Sequence, residues 1–166
     1  SYDYTDFVEG LRPYQKEGSN DIGFKLEPGI FYSFCQDALE DKENNYVFVI
    51  DEINRGEISK IFGELFFSVE PSYRGPKGNV TTQFANLHKE ENEFDRMTTD
   101  NKRKGNFFVP ENVFIIATMN DIDRSVENLD FAFRRRFPTE YIKWDDTLDS
   151  ILETLTISFK EEAKEA

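Results

Sequence analysis

Two adjacent carboxylates, Asp51 and Glu52, follow directly after a short apolar run at residues 46–50. This run is β-branched and aromatic, which is typical of a strand buried on both faces in a parallel sheet. A second run of the same kind begins at Val113 and leads to Asn120. Hydrolysis of a nucleoside triphosphate requires a magnesium ion, an oriented water and positive charge near the transferred phosphoryl group. The polar residues after these two strands could supply the first two of these requirements.

Each of the three polar residues suits one role in such a site. Asp51 could bind magnesium, because this ion prefers hard oxygen ligands. Glu52 could polarise the attacking water, and the neutral amide of Asn120 could orient that water. The ordinary alternative is a strand that reaches the surface and ends in solvated charges, and an Asp-Glu pair alone is weak evidence in an acidic chain. The second strand, which ends in Ala-Thr-Met-Asn, favours the chemical interpretation.

A short basic segment could supply the positive charge. Arg134, Arg135 and Arg136 form a rare cluster of cations in a chain whose formal net charge is −13. One interpretation is the solvated end of a helix, where cations interact favourably with the helix dipole. The other is an arginine finger that is presented to a neighbouring subunit. The sequence alone leaves both interpretations open.

The composition limits the class of protein. The 166 residues, 17 of them Phe, are enough for one packed domain. The acidic charge should repel nucleic acid, so DNA contact would require a local basic patch or another domain. With one cysteine, Cys35, and one histidine, His88, the sequence can form neither an internal disulfide nor a zinc site of several Cys and His ligands. Because no apolar run reaches membrane length and no signal pattern is present, we expect a cytoplasmic protein without a membrane span.

Helices and strands are predicted to alternate along the chain. Apolar spacing predicts helices over residues 30–39, 58–69, 125–137 and 146–159. Residues 1–26 show no sustained period and are predicted to form loop with short extended pieces, whereas residues 139–144 are a possible third strand. This alternation predicts an α/β fold with a parallel sheet, in which ligands bind beyond the carboxyl ends of the strands.

Residues 72–109 differ from the segments on either side. They combine turn residues, an alternating stretch VTTQF, a long polar excursion and an extended FFV. This pattern predicts a β-hairpin with a solvated loop, inserted between core elements.

Two segments of the sequence carry a family resemblance. FVIDEINRGEISKIFGELFFSVE and VPENVFIIATMNDIDRSVENLDFAFRRRF together resemble the AAA+ motor domain of the McrB family, the GTP-hydrolysing subunits of modification-dependent restriction systems. SYDYTDFVEGLRP and GIFYSFCQDAL are similar to the segment between the two nucleotide motifs of that family. The resemblance implies a partial AAA+ core, P-loop NTPase-like and α/β, over residues 1–144, with 72–109 inserted. Residues 145–166 would begin a helical lid or form a C-terminal helix.

The resemblance implies roles for the residues that match the two motifs. Asp51 and Glu52 would be the Walker B pair, in which Asp51 binds Mg²⁺ and nucleotide and Glu52 is catalytic. Asn120 would contact the nucleotide as a sensor of its γ-phosphate. Asn54 and Arg55 belong to the same motif and would have a subunit-contact role at most.

The arginines that follow would stabilise charge during hydrolysis. The resemblance assigns this role to Arg124, Arg135 and Arg136, in cis or from an adjacent subunit, and leaves open which of them is the finger. The family has MNTADRS where this chain has MNDIDRS. The substitution adds a carboxylate, Asp121, which could change the position of water or metal.

No G-x-x-x-x-G-K-[ST] motif occurs in the sequence. In the family this phosphate loop lies upstream of the segment that resembles SYDY. Because the loop supplies most of the phosphate affinity, we expect the chain to be a piece of the motor and inactive alone.

For the intact protein, the resemblance implies a ring-forming motor that uses Mg²⁺ and GTP, with ATP possible. It would belong to a McrB-like, 5-methylcytosine-specific restriction endonuclease, with a McrC-like nuclease subunit as partner and a separate N-terminal domain that binds DNA. Two alternatives are a non-catalytic AAA+-derived interaction module, which would use residues 72–109 as its contact surface, and a MoxR-like chaperone ATPase.

Overall fold

The computed structural model describes residues 3–18, 20–98, 104–120 and 135–142. Within these ranges the α-helices are α1 (Tyr4–Phe7), α2 (Ile30–Glu40), α3 (Ile58–Phe62) and α4 (Glu93–Met97). The strands are β1 (Glu9–Gln15), β2 (Ile22–Pro28), β3 (Tyr46–Ile50), β4 (Val80–Thr81), β5 (Asn106–Phe107) and β6 (Val113–Ala117). Short 3₁₀ turns occupy Ile53–Arg55, Gly63–Phe66, Pro71–Tyr73, Pro76–Gly78 and Ala85–Leu87.

The parallel pair β3–β6 is the element that positions the candidate site. Its register begins with Tyr46 opposite Val113 and ends with Ile50 opposite Ala117. Both strands therefore end at the same edge, and their following residues leave the sheet side by side. This confirms the predicted strands and the predicted α/β class.

One face of the β3–β6 pair is exposed. Val47 and Val49 are 51% and 62% exposed, and their neighbours on β6, Phe114 and Ile116, are 50% and 55% exposed. The prediction that β3 is buried on both faces is therefore wrong. The continuous apolar run of β3 is typical of a strand that is buried on both faces of a sheet, but the described residues pack against only one face of the β3–β6 pair.

The other face of β3 packs on α2 through aromatic rings. Phe31 of α2 is fully buried and lies 5.0 Å from the ring of Phe48 in an edge-on arrangement, and it stacks on Phe7 at 4.8 Å. Cys35, one turn further along α2, is also fully buried, and burial raises the pKa of its thiol well above the ordinary value. A buried, protonated thiol is unreactive.

The end of α2 is fixed by one side chain from the loop before β6. The Nδ2 group of Asn112 lies 2.9–3.0 Å from the carbonyl oxygens of Ala38, Asp41 and Asn44. Ala38 lies in the last turn of α2, whose carbonyl groups have no following helical N–H partners, whereas Asp41 and Asn44 belong to the turn after the helix. Asn112 thus links α2 to the start of β6.

Two predictions of local structure are wrong. Residues 9–28 form an antiparallel hairpin of β1 and β2, with Glu9 opposite Pro28 and Gln15 opposite Ile22, and not a loop with short extended pieces. Helix α3 ends at Phe62 and does not continue to residue 69. Gly63 has φ +51°, which is a left-handed conformation, and the chain continues from it as a 3₁₀ turn.

The segment 72–109 contains an antiparallel pair, as predicted, although β4 and β5 are only two residues long. The prediction of a solvated loop between them is wrong for helix α4, in which Phe94 is fully buried and Asp95 is 4% exposed. Helix α4 begins with a reciprocal capping box between Asn92 and Asp95. His88 ties the segment to β1 through a 2.8 Å contact between its Nε2 and Oε2 of Glu9, which is 2% exposed. This contact to a buried carboxylate raises the pKa of His88.

The chain divides into two units, Ser1–Arg136 and Phe137–Ala166. In the second unit the structure describes residues 137–142. No strand occurs over 139–142, so this part of the predicted third strand is not found. The helix predicted over 146–159, and that over 125–137 up to residue 134, lie outside the described residues. Among the described helices, none is long and apolar enough to cross a membrane.

Candidate functional site

The loops that follow β3 and β6, residues 51–55 and 118–120, are bonded to each other and form what we call the strand-end loops. The N–H of Thr118 donates to the carbonyl of Ile50 at 2.9 Å, and the N–H of Ile53 donates to the carbonyl of Thr118 at 3.0 Å. The first bond continues the parallel ladder by one residue, and the second joins Thr118 to the turn that follows Glu52. This continuation fixes the direction in which both loops leave the sheet.

Glu52 has a left-handed backbone conformation, with φ 51° and ψ 48°. It is the one non-glycine residue with positive φ in the part of the chain that the structure describes. For such a residue this conformation costs about 1–2 kcal/mol. The N–H of Glu52 donates to Oγ1 of Thr118 at 3.0 Å, and Arg55 Nη2 lies 3.1 Å from Glu52 Oε1. A strained residue that is held by specific contacts is typical of functional sites.

The side chain of Asn54 joins the two strand-end loops. Its side chain is 7% exposed, and its Nδ2 donates to the backbone carbonyl of Asn120 at 3.1 Å. Its Oδ1 is buried and has no hydrogen-bond partner among the described residues. Asn54 therefore holds the backbone of the predicted sensor residue, a role that the sequence interpretation did not assign to it.

Asp51 and Glu52 border a cleft of about 460 Å³. Its other walls are mainly apolar and include Phe48, Ile50 and Ile61. An apolar cleft with a few convergent polar groups is the usual form of a small-molecule site. The two acids thus lie at a cleft, as the chemical interpretation requires, and not on a featureless surface.

The donor set suits a magnesium ion that is shared with phosphates. Mg²⁺ usually keeps several waters and takes one or two protein carboxylates together with substrate oxygens. Asp51 at the end of β3 provides one such carboxylate. The described residues contain no group of three or more His, Cys, Asp or Glu that could hold a metal ion without a substrate. The residues therefore fit a substrate-borne Mg²⁺.

Comparisons with known proteins agree with this geometry. A family model described as an AAA domain of the dynein-related subfamily matches residues 3–137. This chain belongs to the AAA domain family. It is 44% identical over 137 residues to the EcoKMcrB subunit of a type IV methyl-directed restriction enzyme from Escherichia coli K12, covering 82% of the chain and 25% of that subunit. It is 27% identical over 143 residues to YdiS, a component of the type II restriction enzyme BsuMI from Bacillus subtilis 168, covering 86% of the chain and 38% of YdiS. The AAA domain chain thus spans between a quarter and two fifths of the length of these relatives.

The arginines predicted for the AAA domain lie in different environments. Arg136 is held within the first unit: its Nε lies 4.0 Å from Oε2 of Glu70, and its guanidinium lies 4.5 Å from the ring centre of Phe66. Arg135, in the same helical turn, is exposed. Arg124 lies outside the described residues. The roles of all three arginines stay predictions.

Of the predicted site residues, the AAA domain brings Asp51 and Glu52 to one cleft and places the backbone of Asn120 beside them through Asn54. Convergence of the Asn120 side chain on Glu52 stays a prediction. The sequence interpretation missed Thr118, whose hydroxyl contacts both acids. The strand register carried the signal, because Ile50 opposite Ala117 places Asp51 next to Thr118.

Proposed function

We propose that this chain is part of the nucleotide-hydrolysing motor of a McrB-like restriction system and acts on GTP with Mg²⁺. The observation that carries this proposal is the junction of the strand-end loops beside the cleft. There the hydroxyl of Thr118 bonds Asp51 and the backbone of Glu52, and the side chain of Asn54 bonds the backbone of Asn120. The AAA family supports nucleotide and metal use in general. The choice of GTP follows the resemblance to the McrB family.

In this proposal Asp51 holds the metal ion and Glu52 polarises the attacking water, while the amide of Asn120 senses the γ-phosphate. When bound, Mg²⁺ neutralises charge on the phosphates. The contact with Arg55 engages one oxygen of Glu52, Oε1. The two side chains are 40% and 59% exposed, and an exposed ion pair of this kind is worth only about 0–1 kcal/mol. The contact therefore restrains Glu52 weakly and is easily replaced by substrate or by a partner.

Among the arginines, the environments favour Arg135 as the residue that reaches a neighbouring subunit. A finger must extend from the surface of one subunit to the phosphates bound by another. Arg135 is exposed, whereas the side chain of Arg136 is 18% exposed and packs against Phe66 and Glu70. We assign Arg136 to holding the helical turn and Arg135 to charge stabilisation in trans.

The names of the relatives indicate the wider system. Both are components of restriction enzymes, and one is methyl-directed. We propose that the protein assembles into a ring with a McrC-like nuclease partner and that a separate domain recognises DNA carrying 5-methylcytosine. The net charge of −13 supports the last point, because an acidic surface repels the phosphate backbone.

The test compares the 166-residue chain with a chimera in which this chain replaces the matching segment of the E. coli subunit. The chimera regains an upstream phosphate loop of the family. Isothermal titration with GTP and ATP, with and without Mg²⁺, and phosphate release are measured for both proteins. We expect no measurable turnover by the chain alone and Mg²⁺-dependent GTP hydrolysis by the chimera. Turnover by the bare chain, or a chimera that folds and binds neither nucleotide, would contradict the proposal.

A further inference from the structure

We propose that Thr118 is a positioning residue whose single hydroxyl sets the geometry of both acids, the carboxylate of Asp51 and the backbone of Glu52. The inference rests on the proposed function, since it concerns how the same site is held. Thr118 contacts neither the substrate nor the metal ion in this proposal and acts only through the two acids.

The hydroxyl of Thr118 lies between the two acids. Its Oγ1 is 3.0 Å from the backbone nitrogen of Glu52 and 2.5 Å from Oδ1 of Asp51. A backbone N–H can only donate, and an ionised carboxylate can only accept. The hydroxyl therefore accepts from Glu52 and donates its one proton to Asp51, so the direction of this chain of hydrogen bonds is fixed.

Each of these two bonds constrains one acid. The bond to Oδ1 orients the carboxylate of Asp51 and leaves its second oxygen for other ligands. The bond from the N–H of Glu52 satisfies a backbone donor and holds this residue in its left-handed conformation. In the proposed function the two acids have separate roles, because one binds metal and the other approaches water.

The side chain of Thr118 is itself held in place. Its backbone N–H donates to the carbonyl of Ile50, and its carbonyl accepts from the N–H of Ile53. A β-branched side chain on such a backbone has few χ1 rotamers, so the hydroxyl is presented without much loss of conformational freedom. These features are typical of residues that contact metal ligands, and not the metal itself, and thereby orient those ligands.

Three substitutions separate the hydroxyl from the shape of the side chain. Thr118→Val keeps the branched shape without the hydroxyl, Thr118→Ala also lacks the hydroxyl, and Thr118→Ser keeps it without the methyl group. In the 166-residue chain, hydrogen exchange at the Glu52 amide is measured by NMR. We expect exchange at least about tenfold faster in the Val and Ala variants and close to the wild-type rate in the Ser variant.

The second readout is metal dependence in the chimera. Binding of Mn²⁺ is measured by electron paramagnetic resonance with a non-hydrolysable GTP analogue, and hydrolysis is measured as a function of Mg²⁺ concentration. For the Val and Ala variants we expect about 10–100-fold weaker metal binding, the range seen when outer residues of metal sites are replaced. The KM for nucleotide should change little, since the phosphate loop provides most of the affinity, and the Ser variant should recover the wild-type metal dependence.

Asp51→Asn in the same chimera distinguishes a failure of the role proposed for Thr118 from a failure of the proposed function. If Asp51→Asn abolishes metal-dependent hydrolysis while the Val and Ala variants match the wild type, the role of Thr118 is refuted and the proposed function stands. The role is equally refuted if the Ser variant fails as severely as the Val variant. If Asp51→Asn hydrolyses GTP normally, the proposed function itself is wrong.

Discussion

Asp95 is the residue whose replacement should most clearly destabilise the inserted segment 72–109. It is 4% exposed, and its Oδ1 accepts from the backbone N–H of Asn106 at 2.8 Å and from Nδ2 of the same residue at 2.7 Å. Its Oδ2 accepts from the N–H of Asn92 at 3.0 Å and from that of Gly105 at 3.3 Å. One carboxylate thus connects helix α4 to strand β5.

Asp95→Asn keeps the size of the side chain but turns one of the two acceptor oxygens into a donor. Whichever way the amide is oriented, two N–H donors then face an NH₂ group. Each lost hydrogen bond to a charged acceptor costs about 1.5–3 kcal/mol. The expected loss in the free energy of unfolding is therefore about 3–6 kcal/mol, which is a large share of the stability of a typical domain.

The assay is urea unfolding of the 166-residue chain, followed by circular dichroism at 222 nm. Asp37→Asn is the matched control, because Asp37 is an exposed aspartate of α2, and we expect it to change the free energy by less than about 0.5 kcal/mol. If Asp95→Asn costs less than about 1 kcal/mol, the four bonds do not carry the energy assigned to them here.

Three further predictions concern other parts of the chain. Phe31→Ala should lower the free energy of unfolding by about 3–5 kcal/mol in the same urea assay. Phe24→Ala is the control and should cost far less, because the side chain of Phe24 is 66% exposed. Equal costs would contradict the assigned core. Because contact with Glu9 raises the pKa of His88 in the folded state, the stability it contributes should be complete below the unfolded pKa of about 6.5 and be lost as pH rises through the folded pKa. His88→Gln should remove this decline from urea midpoints measured between about pH 6 and 9, and an unchanged decline would refute the assignment. Gly63→Ala should lower the melting temperature more than Gly18→Ala. Both residues have positive φ, but a Cβ at Gly63 would lie 3.0 Å from Tyr4 and Gln83, whereas a Cβ at Gly18 would have no neighbour within 4 Å. The reverse order of melting temperatures would be evidence against the packing around Gly63.

The elements with strong apolar periodicity could be predicted from the sequence. Helix α2 and strands β3 and β6 lie where predicted, because the helix has apolar residues at helical spacing and each strand is a short continuous apolar run. The hairpin β1–β2 could not be predicted in this way. Its apolar residues pair across the hairpin, Leu11 with Leu26 and Pro13 with Phe24, and several remain exposed. The stabilising pairs are therefore far apart in sequence, and neither strand alternates clearly.

Helix α3 shows a different limit. Ile58, Phe62 and Leu65 are buried at spacings of three and four, which an α-helix and a 3₁₀ turn both allow. The spacing therefore predicted one continuous helix, and the left-handed backbone of Gly63 that interrupts it leaves no trace in the apolar pattern.

At the site, the carboxylates could be located from the strand ends alone, because the residues after parallel strands share one edge of the sheet. Thr118 and Asn54 could not be assigned in the same way. Their roles depend on the register of β3 against β6 and on the turn that follows Glu52, and both are set by contacts between segments more than 60 residues apart.

GTP hydrolysis by Glu52→Gln in the chimera, with nucleotide binding measured on the same samples, tests whether Glu52 is the catalytic base. If Glu52 activates the attacking water, the variant should bind GTP within about threefold of the wild-type affinity and hydrolyse it at least about 100-fold more slowly. Hydrolysis at the wild-type rate would show that the carboxylate beside the cleft is not the base.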